Sequence, residues 1–215
     1  MEIVPAILAE SLDVFVTRLR RAEKFVHYIQ IDIMDGKFVD TQSLDPEMLN
    51  HITITVPFEI HLMVEEPLKA LMSIRNPSLR KAIFHVEAAG DPLEFIKRAE
   101  KRGLDVGLAI KPETPLDSFE DLAQHVDTLL FLTVDPGRYG SPFKSEVIQK
   151  LLSAQQSLSH KTIGVDGGVS FDNLPVLYDA HVDYVCIGSR IFLDGVPEEN
   201  YKKFNEWLIQ LEISK

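Results

Sequence analysis

Two aspartates and a histidine occur in three separate apolar runs of this sequence. Asp32 lies in a run whose side chains alternate, so that Gln30, Asp32 and Met34 face one side and isoleucines face the other. His61 and Asp166 occur in two further runs. A buried carboxylate is costly unless it is paired, hydrogen-bonded or bound to a metal ion, so Asp32 needs partners.

Each of these residues alone has an ordinary explanation. An aspartate after a strand is often a turn residue, and an inward histidine is usually a hydrogen-bonded core residue. Because Asp32, His61 and Asp166 come from the ends of three different strands, we interpret them as one site instead. Such a site could bind a divalent metal ion (zinc, manganese or iron) or carry out metal-free acid–base chemistry.

Glycine-rich turns follow the last three apolar runs. They comprise Gly137 to Gly140 with Ser141, then Gly167-Gly168, and then Gly188-Ser189. Loops after the last two strands of a parallel barrel often bind phosphate through backbone N–H groups, and glycine lets the backbone approach the anion closely. Tight turns without a ligand are the alternative for any one of them. Because two of the turns follow adjacent strands, we interpret them as a phosphate site.

Eight short apolar runs supply these strand ends, and they begin near residues 4, 28, 58, 82, 106, 128, 162 and 184. Stretches with helical spacing separate them, including residues 116–124, 144–158 and 170–179. This alternation predicts an α/β fold, a (β/α)8 TIM barrel with the site at the carboxyl ends of the strands. An open doubly wound sheet is the alternative, although it usually has fewer strands. No linker divides the chain, so we expect one domain over residues 1–215.

Composition limits the partners and the compartment. The net charge of −11 argues against a nucleic-acid or acidic-membrane partner. The single cysteine, Cys186, excludes an intrachain disulfide and fits a reducing compartment. No apolar run approaches the roughly 18 residues of a membrane span. The N-terminus begins in a strand-like run without the basic region of a signal peptide. We therefore expect a cytoplasmic protein.

Motifs along nearly the whole chain resemble those of the ribulose-phosphate 3-epimerase family. They are Pro5-Ala-Ile-Leu8, Ile31-Asp-Ile-Met-Asp-Gly36, Ile60-His-Leu-Met63, His85-Val-Glu87, Val134-Asp-Pro-Gly137, Val165-Asp-Gly-Gly168 and Gly188-Ser-Arg-Ile-Phe192. The second and the seventh of these are the specific ones when they occur together.

The resemblance implies an isomerase that interconverts ribulose 5-phosphate and xylulose 5-phosphate in the pentose phosphate pathway. It implies that Asp32 and Asp166 are the two acid–base groups, and that they hold a divalent metal ion together with His61. It also implies that Met34 and Met63 line the pocket, and that the phosphate binds at the glycine turns. We further expect a homo-oligomer.

Several positions depart from the family pattern. Gln30 stands where the family usually has a fourth, histidine, ligand, and Ala6 stands where it has a substrate-contacting serine. An amide oxygen is a poorer ligand than imidazole for zinc-type ions, so we expect weakened metal binding. Further departures are Ala9, Thr41, Leu132, Arg138-Tyr139 and Ser141-Pro142. The alternative to an active epimerase is therefore a sugar-phosphate-binding relative that is non-catalytic or has altered specificity.

Overall fold

Eight parallel strands close into a barrel in the computed structural model, which describes residues 1–213. The strands are β1 Glu2–Ile7, β2 Ile29–Met34, β3 Phe58–Met63, β4 Leu79–His85, β5 Asp105–Ile110, β6 Thr128–Leu132, β7 Thr162–Asp166 and β8 Tyr184–Ile187. Each strand pairs with the next, and β1 also pairs with β8. The prediction of a (β/α)8 TIM barrel is confirmed, and the open sheet is excluded.

Helices connect the strands around the outside of the barrel. They are α1 Leu12–Ala22, α2 Pro67–Ser73, α3 Pro92–Glu100, α4 Glu120–Ala123, α5 Val147–Ser157, α6 Leu174–Asp179, α7 Ser189–Phe192 and α8 Pro197–Ile213, with 3-10 helices at Pro46–His51 and Leu116–Ser118. Side-chain caps fix two of the helix starts: Ser11 accepts a hydrogen bond from the backbone of Val14, and Asp91 accepts bonds at the start of α3. Among residues 1–213, no helix is long and apolar enough to cross a membrane.

Three helix boundaries differ from the sequence prediction. The helix expected over 170–179 begins only at Leu174, because Asn173 ties the preceding turn together through Gly168 and Ser170. The helix expected over 144–158 begins at Val147, because the Lys144 backbone donates to Thr133 instead. The stretch 116–124 is divided between a 3-10 turn and the single turn of α4. The short helix α7 was not anticipated.

Side chains alternate between two cores along the strands. Those that point outward pack under the helices in one large apolar cluster. The barrel interior holds a smaller cluster, made of Val4, Ala6, Ile83, Ala109, Leu130, Tyr184 and Cys186. Six polar residues are also buried along these strands, namely Gln30, Asp32, Glu59, His61, His85 and Thr128. Buried polar groups need partners, and the strand register supplies them.

The register brings distant parts of the sequence side by side. Asp32 on β2 lies opposite His61 on β3, and Asp166 on β7 lies opposite Cys186 on β8. Gln30 lies opposite Ala6 on β1. Closure of the barrel then turns one face of β2, β3 and β7 toward the same interior, so their polar side chains converge.

Candidate active site

His61 lies between the two carboxylates of Asp32 and Asp166. Its Nδ1 atom is 3.0 Å from Asp166 Oδ2 and 3.4 Å from Asp32 Oδ1. The nitrogen is buried, yet it is not aligned for a hydrogen bond with either oxygen. The predicted convergence of these three residues is therefore present in the structure, as a compact group of two acids and one imidazole.

Gln30 forms hydrogen bonds with both carboxylates from deeper inside the barrel. Its amide nitrogen donates to Asp32 Oδ1 at 2.9 Å and to Asp166 Oδ2 at 2.8 Å. Its amide oxygen accepts from the Cys186 thiol at 3.0 Å. Burial raises the pKa of the Cys186 thiol, so the sulfur keeps the proton that it donates. Gln30 thus turns a hydrogen-bond donor, not the carbonyl oxygen of a metal ligand, toward the site.

A second histidine extends the group toward β4. His61 Nε2 lies 2.9 Å from His85 Nε2, and His85 Nδ1 lies 3.1 Å from Glu87 Oε2. The other oxygen of Glu87 accepts from the Lys111 backbone at 2.9 Å and from the Thr114 hydroxyl. With His85 donating to Glu87, its Nε2 accepts from His61, which leaves the Nδ1 atom of His61 to face the aspartates.

The charges of these groups follow from their surroundings. Burial raises the pKa of Asp32, and the nearby Asp166 carboxylate adds to the effect. Burial alone would lower the pKa of His61, but contacts with Asp166 and Asp32 outweigh burial and raise that pKa to about 9. Burial lowers the pKa of His85 to about 4, so this ring is neutral near pH 7. The position between the carboxylates therefore favours a cation.

The same three residues fit a divalent metal ion. One ligand atom from each of Asp32, His61 and Asp166 lies within 4.8 Å of the others. Two carboxylate oxygens and one imidazole nitrogen are a common donor set for zinc, manganese or iron. The unbonded Nδ1 of His61, with its opposite ring nitrogen held by His85, has the arrangement of a metal-binding histidine. The amide nitrogen of Gln30 lies beside Asp32 and Asp166, on the side from which a fourth ligand would reach the ion.

These groups open into a cavity of about 60 Å³ at the carboxyl ends of the strands. Most of the predicted site residues line it, namely Asp32, His61, Met63, Gly137, Gly140, Ser141, Asp166, Gly167, Gly168, Gly188 and Ser189. Two of the predicted residues do not. Gln30 is buried beneath the carboxylates. Met34 packs beside Leu8, Val39 and Met63 in an apolar cluster at the mouth.

The glycine turns approach one another closely at this mouth. A Cβ atom on Gly167 would lie 2.3 Å from a methyl group of Val134, and the backbone there has φ +107°. A Cβ atom on Gly188 would lie 2.3 Å from the ring of Tyr139. Only glycine fits at either position. The turns thus carry backbone near the cavity, and they also pack tightly against the loop after β6.

Four residues of this site had no role assigned from the sequence. His85 and Glu87 orient His61, Cys186 orients Gln30, and Tyr139 covers the cavity. The His85-Val-Glu87 motif could have indicated the first two residues, because alternate side chains at a strand end share one face. No comparable signal marks Cys186 or Tyr139, since their contacts are with residues far away in the sequence.

Comparisons with known proteins identify the family of the chain. The family model of the Ribulose-phosphate 3 epimerase family matches residues 2–192. The chain is 30% identical over 204 residues to ribulose-phosphate 3-epimerase of Schizosaccharomyces pombe, covering 92% of this chain and 90% of that protein. It is 29% identical over 216 residues to the enzyme of the same name from Candida glabrata, covering 92% of this chain and 88% of that protein.

Solved structures share the fold at lower sequence identity. 3-Hexulose-6-phosphate synthase from Salmonella typhimurium superposes with a TM-score of 0.69 at 16% identity, covering 98% of this chain and all (100%) of that chain. Phosphoribosyl anthranilate isomerase from Thermococcus kodakaraensis has a TM-score of 0.65 at 15% identity, covering 97% of this chain and 99% of that chain. These likenesses concern the barrel alone. The family match over nearly the whole chain is the decisive one: the chain belongs to the ribulose-phosphate 3-epimerase family of isomerases.

Proposed function

We propose that this protein epimerises a phosphorylated ketose, interconverting ribulose 5-phosphate and xylulose 5-phosphate. The observation that carries the proposal is the pair Asp32 and Asp166, which come from β2 and β7 and line the same cavity. Epimerisation beside a ketone needs one group to remove a proton and another to return one on the opposite face. Two carboxylates from different strands meet that need.

The chemistry of the pair follows from its surroundings. One aspartate takes the proton from the carbon next to the ketone, which gives an enediolate, and the other aspartate protonates the same carbon from the opposite face. Burial raises the pKa of Asp32, so this group can carry a proton nearer neutral pH than an exposed aspartate. The Gln30 amide holds both carboxylates in place and steadies whichever one is ionised.

Asp32, His61 and Asp166 would hold a divalent metal ion. When bound, the metal supplies a Lewis acid that polarises the ketone oxygen and stabilises negative charge on it. His61 keeps its Nδ1 atom available through the bonds of its other ring nitrogen to His85 and of His85 to Glu87. Because Gln30 directs a donor toward the carboxylates, we expect weaker metal binding than a fourth imidazole would give.

The phosphate of the substrate would bind at the glycine turns. Gly167, Gly168, Gly188 and Ser189 all border the cavity that contains the carboxylates. Backbone N–H groups suit a protein with a net charge of −11, because they attract an anion without requiring basic side chains. The phosphorylated end of the sugar would then lie on the β7–β8 side of the barrel.

A second candidate is a relative that binds a sugar phosphate without turnover or has altered specificity. The specific observation in its favour is that Ala6 lines the cavity without a hydroxyl group to offer a substrate. The two opposed carboxylates favour the enzyme, because binding alone does not require them.

A coupled assay tests the proposal. Purified protein, supplied in turn with zinc, manganese and iron, should convert ribulose 5-phosphate to xylulose 5-phosphate. Asp32→Asn and Asp166→Asn should each lower turnover by at least about a thousandfold, because each removes one proton-transfer group. Asp172→Asn, on the connection outside the cavity, is the control that should keep full activity. No turnover by the wild type with any of the metals would reject the epimerase and favour the second candidate.

A further inference from the structure

Tyr139 fixes the loop after β6 onto the opposite side of the barrel mouth. Its hydroxyl donates to the Ala6 carbonyl at 2.6 Å and accepts from the Leu8 backbone at 2.7 Å. The guanidinium of Arg18 lies 5.2 Å from the centre of the tyrosine ring, and the same guanidinium donates to the Leu8 carbonyl. The ring is therefore held at its hydroxyl and on one face by β1 and α1.

The tyrosine ring also lies against the turn that begins after β8. A Cβ atom placed on Gly188 would be 2.3 Å from ring atom Cε1 and 3.0 Å from Cζ. The ring consequently occupies the space that the missing side chain of Gly188 leaves open. Gly188 belongs to the turn proposed above for phosphate, so a phosphate group bound at that turn would meet the ring of Tyr139.

The size of the cavity points to the same steric conflict. Its volume is about 60 Å³. Pockets for small organic ligands usually measure about 300–1,000 Å³. The present cavity has room for a few water molecules, not for a phosphorylated five-carbon sugar. Some lining group must therefore leave before such a ligand enters, and Tyr139 is the large side chain that bridges the mouth between β1 and the β8 turn.

We propose that Tyr139 determines access to the phosphate end of the site: its ring occupies that end, its hydroxyl is fixed to β1, and a phosphorylated ligand binds only after it is displaced. This inference rests on the proposed sugar-phosphate substrate, and it adds a specificity-determining residue. Displacement breaks two hydrogen bonds to the backbone and the stacking contact with Arg18. The affinity for the ligand is reduced by that cost, because the open form is the minor one.

Calorimetric titration with ribitol 5-phosphate tests the proposal without turnover, because this alcohol has no ketone to be epimerised. Tyr139→Phe keeps the ring but removes both hydrogen bonds to the backbone of Ala6 and Leu8, so its Kd should fall about tenfold relative to wild type. Tyr139→Ala also removes the ring, so its Kd should fall further. The Kd for unphosphorylated ribitol should not fall in either variant. Tyr201→Phe, which removes a tyrosine hydroxyl on α8, is the matched control and should bind as the wild type does.

Other outcomes overturn the proposal. An unchanged Kd in both variants would mean that Tyr139 does not control binding. A higher Kd in Tyr139→Phe would mean that its hydroxyl binds the ligand. Absence of binding even to Tyr139→Ala would mean that the emptied space does not accept phosphate. Tyr139→Phe preserves the packing of the ring, so it keeps the test valid if the alanine variant fails to fold. A turnover assay of the wild type, run beside the titration, separates the two proposals. If the wild type shows no epimerase activity while the Kd values change as expected, only the epimerase proposal is rejected.

Discussion

At the scale of single residues, the site places one amide and one imidazole beside two carboxylates, of which Asp32 is buried and Asp166 is half-buried. Gln30 donates to both carboxylates, and the Nδ1 atom of His61 lies between them. The pKa of His61 rises to about 9 because the carboxylates favour a cation there. A proton on His61 and a bound metal ion would thus meet the same electrostatic need, and Gln30 influences which of the two prevails.

Replacing Gln30 with histidine should increase metal binding. The change exchanges an amide donor for an imidazole that offers a lone pair beside Asp32 and Asp166, so the donor set grows from three to four. Elemental analysis of protein purified with added zinc or manganese should show higher metal content in Gln30→His than in wild type. Gln30→Leu removes the donor without adding a ligand and serves as the control. Stoichiometric, tightly held metal in the wild type would contradict the expectation that Gln30 weakens the site.

Residue types alone could indicate part of this site. Asp32, His61 and Asp166 were identifiable because a carboxylate or imidazole in an apolar strand is rare without a purpose. The direction of the Gln30 amide could not be identified from the sequence, because it depends on the Cys186 thiol 156 positions away. The place of Tyr139 was equally hidden, since its partners Ala6 and Leu8 lie 133 and 131 positions away in the sequence.

At the scale of elements, side chains from one strand end fix the next connection. Glu87, just after β4, bonds the backbone of Lys111 and the hydroxyl of Thr114 in the connection after β5, as well as His85. Burial by itself would raise the pKa of Glu87, but the bonds from His85, Thr114 and the Lys111 backbone lower it to about 2. This one carboxylate therefore links two neighbouring connections and the histidine pair.

The low pKa of Glu87 predicts an acid-dependent contribution to stability. Since the folded pKa of about 2 lies below the ordinary value of 4.5, the ionised carboxylate stabilises the fold above pH 4.5. That contribution is lost as the pH falls from 4.5 toward 2. Denaturant unfolding should therefore show a smaller free energy of unfolding for Glu87→Gln than for wild type at pH 7, and the two curves should converge in acid.

The control for this prediction is Glu94→Gln, which removes a carboxylate that pairs with Arg98 on the surface of α3. Surface ion pairs contribute little to stability, so its pH dependence should follow the wild type. Parallel curves for wild type and Glu87→Gln between pH 4.5 and 2 would contradict the account of Glu87.

The strands were easier to predict than the helix boundaries. The strands are covered on both faces, so each appears as a short apolar run, and the predicted starts at 58, 128, 162 and 184 agree with the structure. The start of α5 depends on the hydrogen bond from Lys144 to Thr133, and the start of α6 depends on the bonds of Asn173 with Gly168 and Ser170. Hydrophobic spacing carries no information about such contacts.

At the scale of the whole molecule, barrel closure creates the site. Gln30 and Asp166 are 136 positions apart, yet they are hydrogen-bonded because β2 and β7 face the same interior. Eight strand–helix units could be counted in the sequence, and closure follows from that number. The small volume of the cavity could not be predicted, because it depends on how the loop after β6 packs across the mouth.

The most direct test of the central claim follows the hydrogen on the carbon beside the ketone. In D2O, wild-type protein should convert ribulose 5-phosphate to xylulose 5-phosphate that carries deuterium at C3, detected by NMR. Asp32→Asn and Asp166→Asn should form no epimer, and each should exchange the C3 hydrogen of at most one of the two sugars. Xylulose 5-phosphate that retains its original C3 hydrogen, or full epimerisation by either variant, would contradict a mechanism in which one aspartate removes the C3 proton and the other supplies a new one.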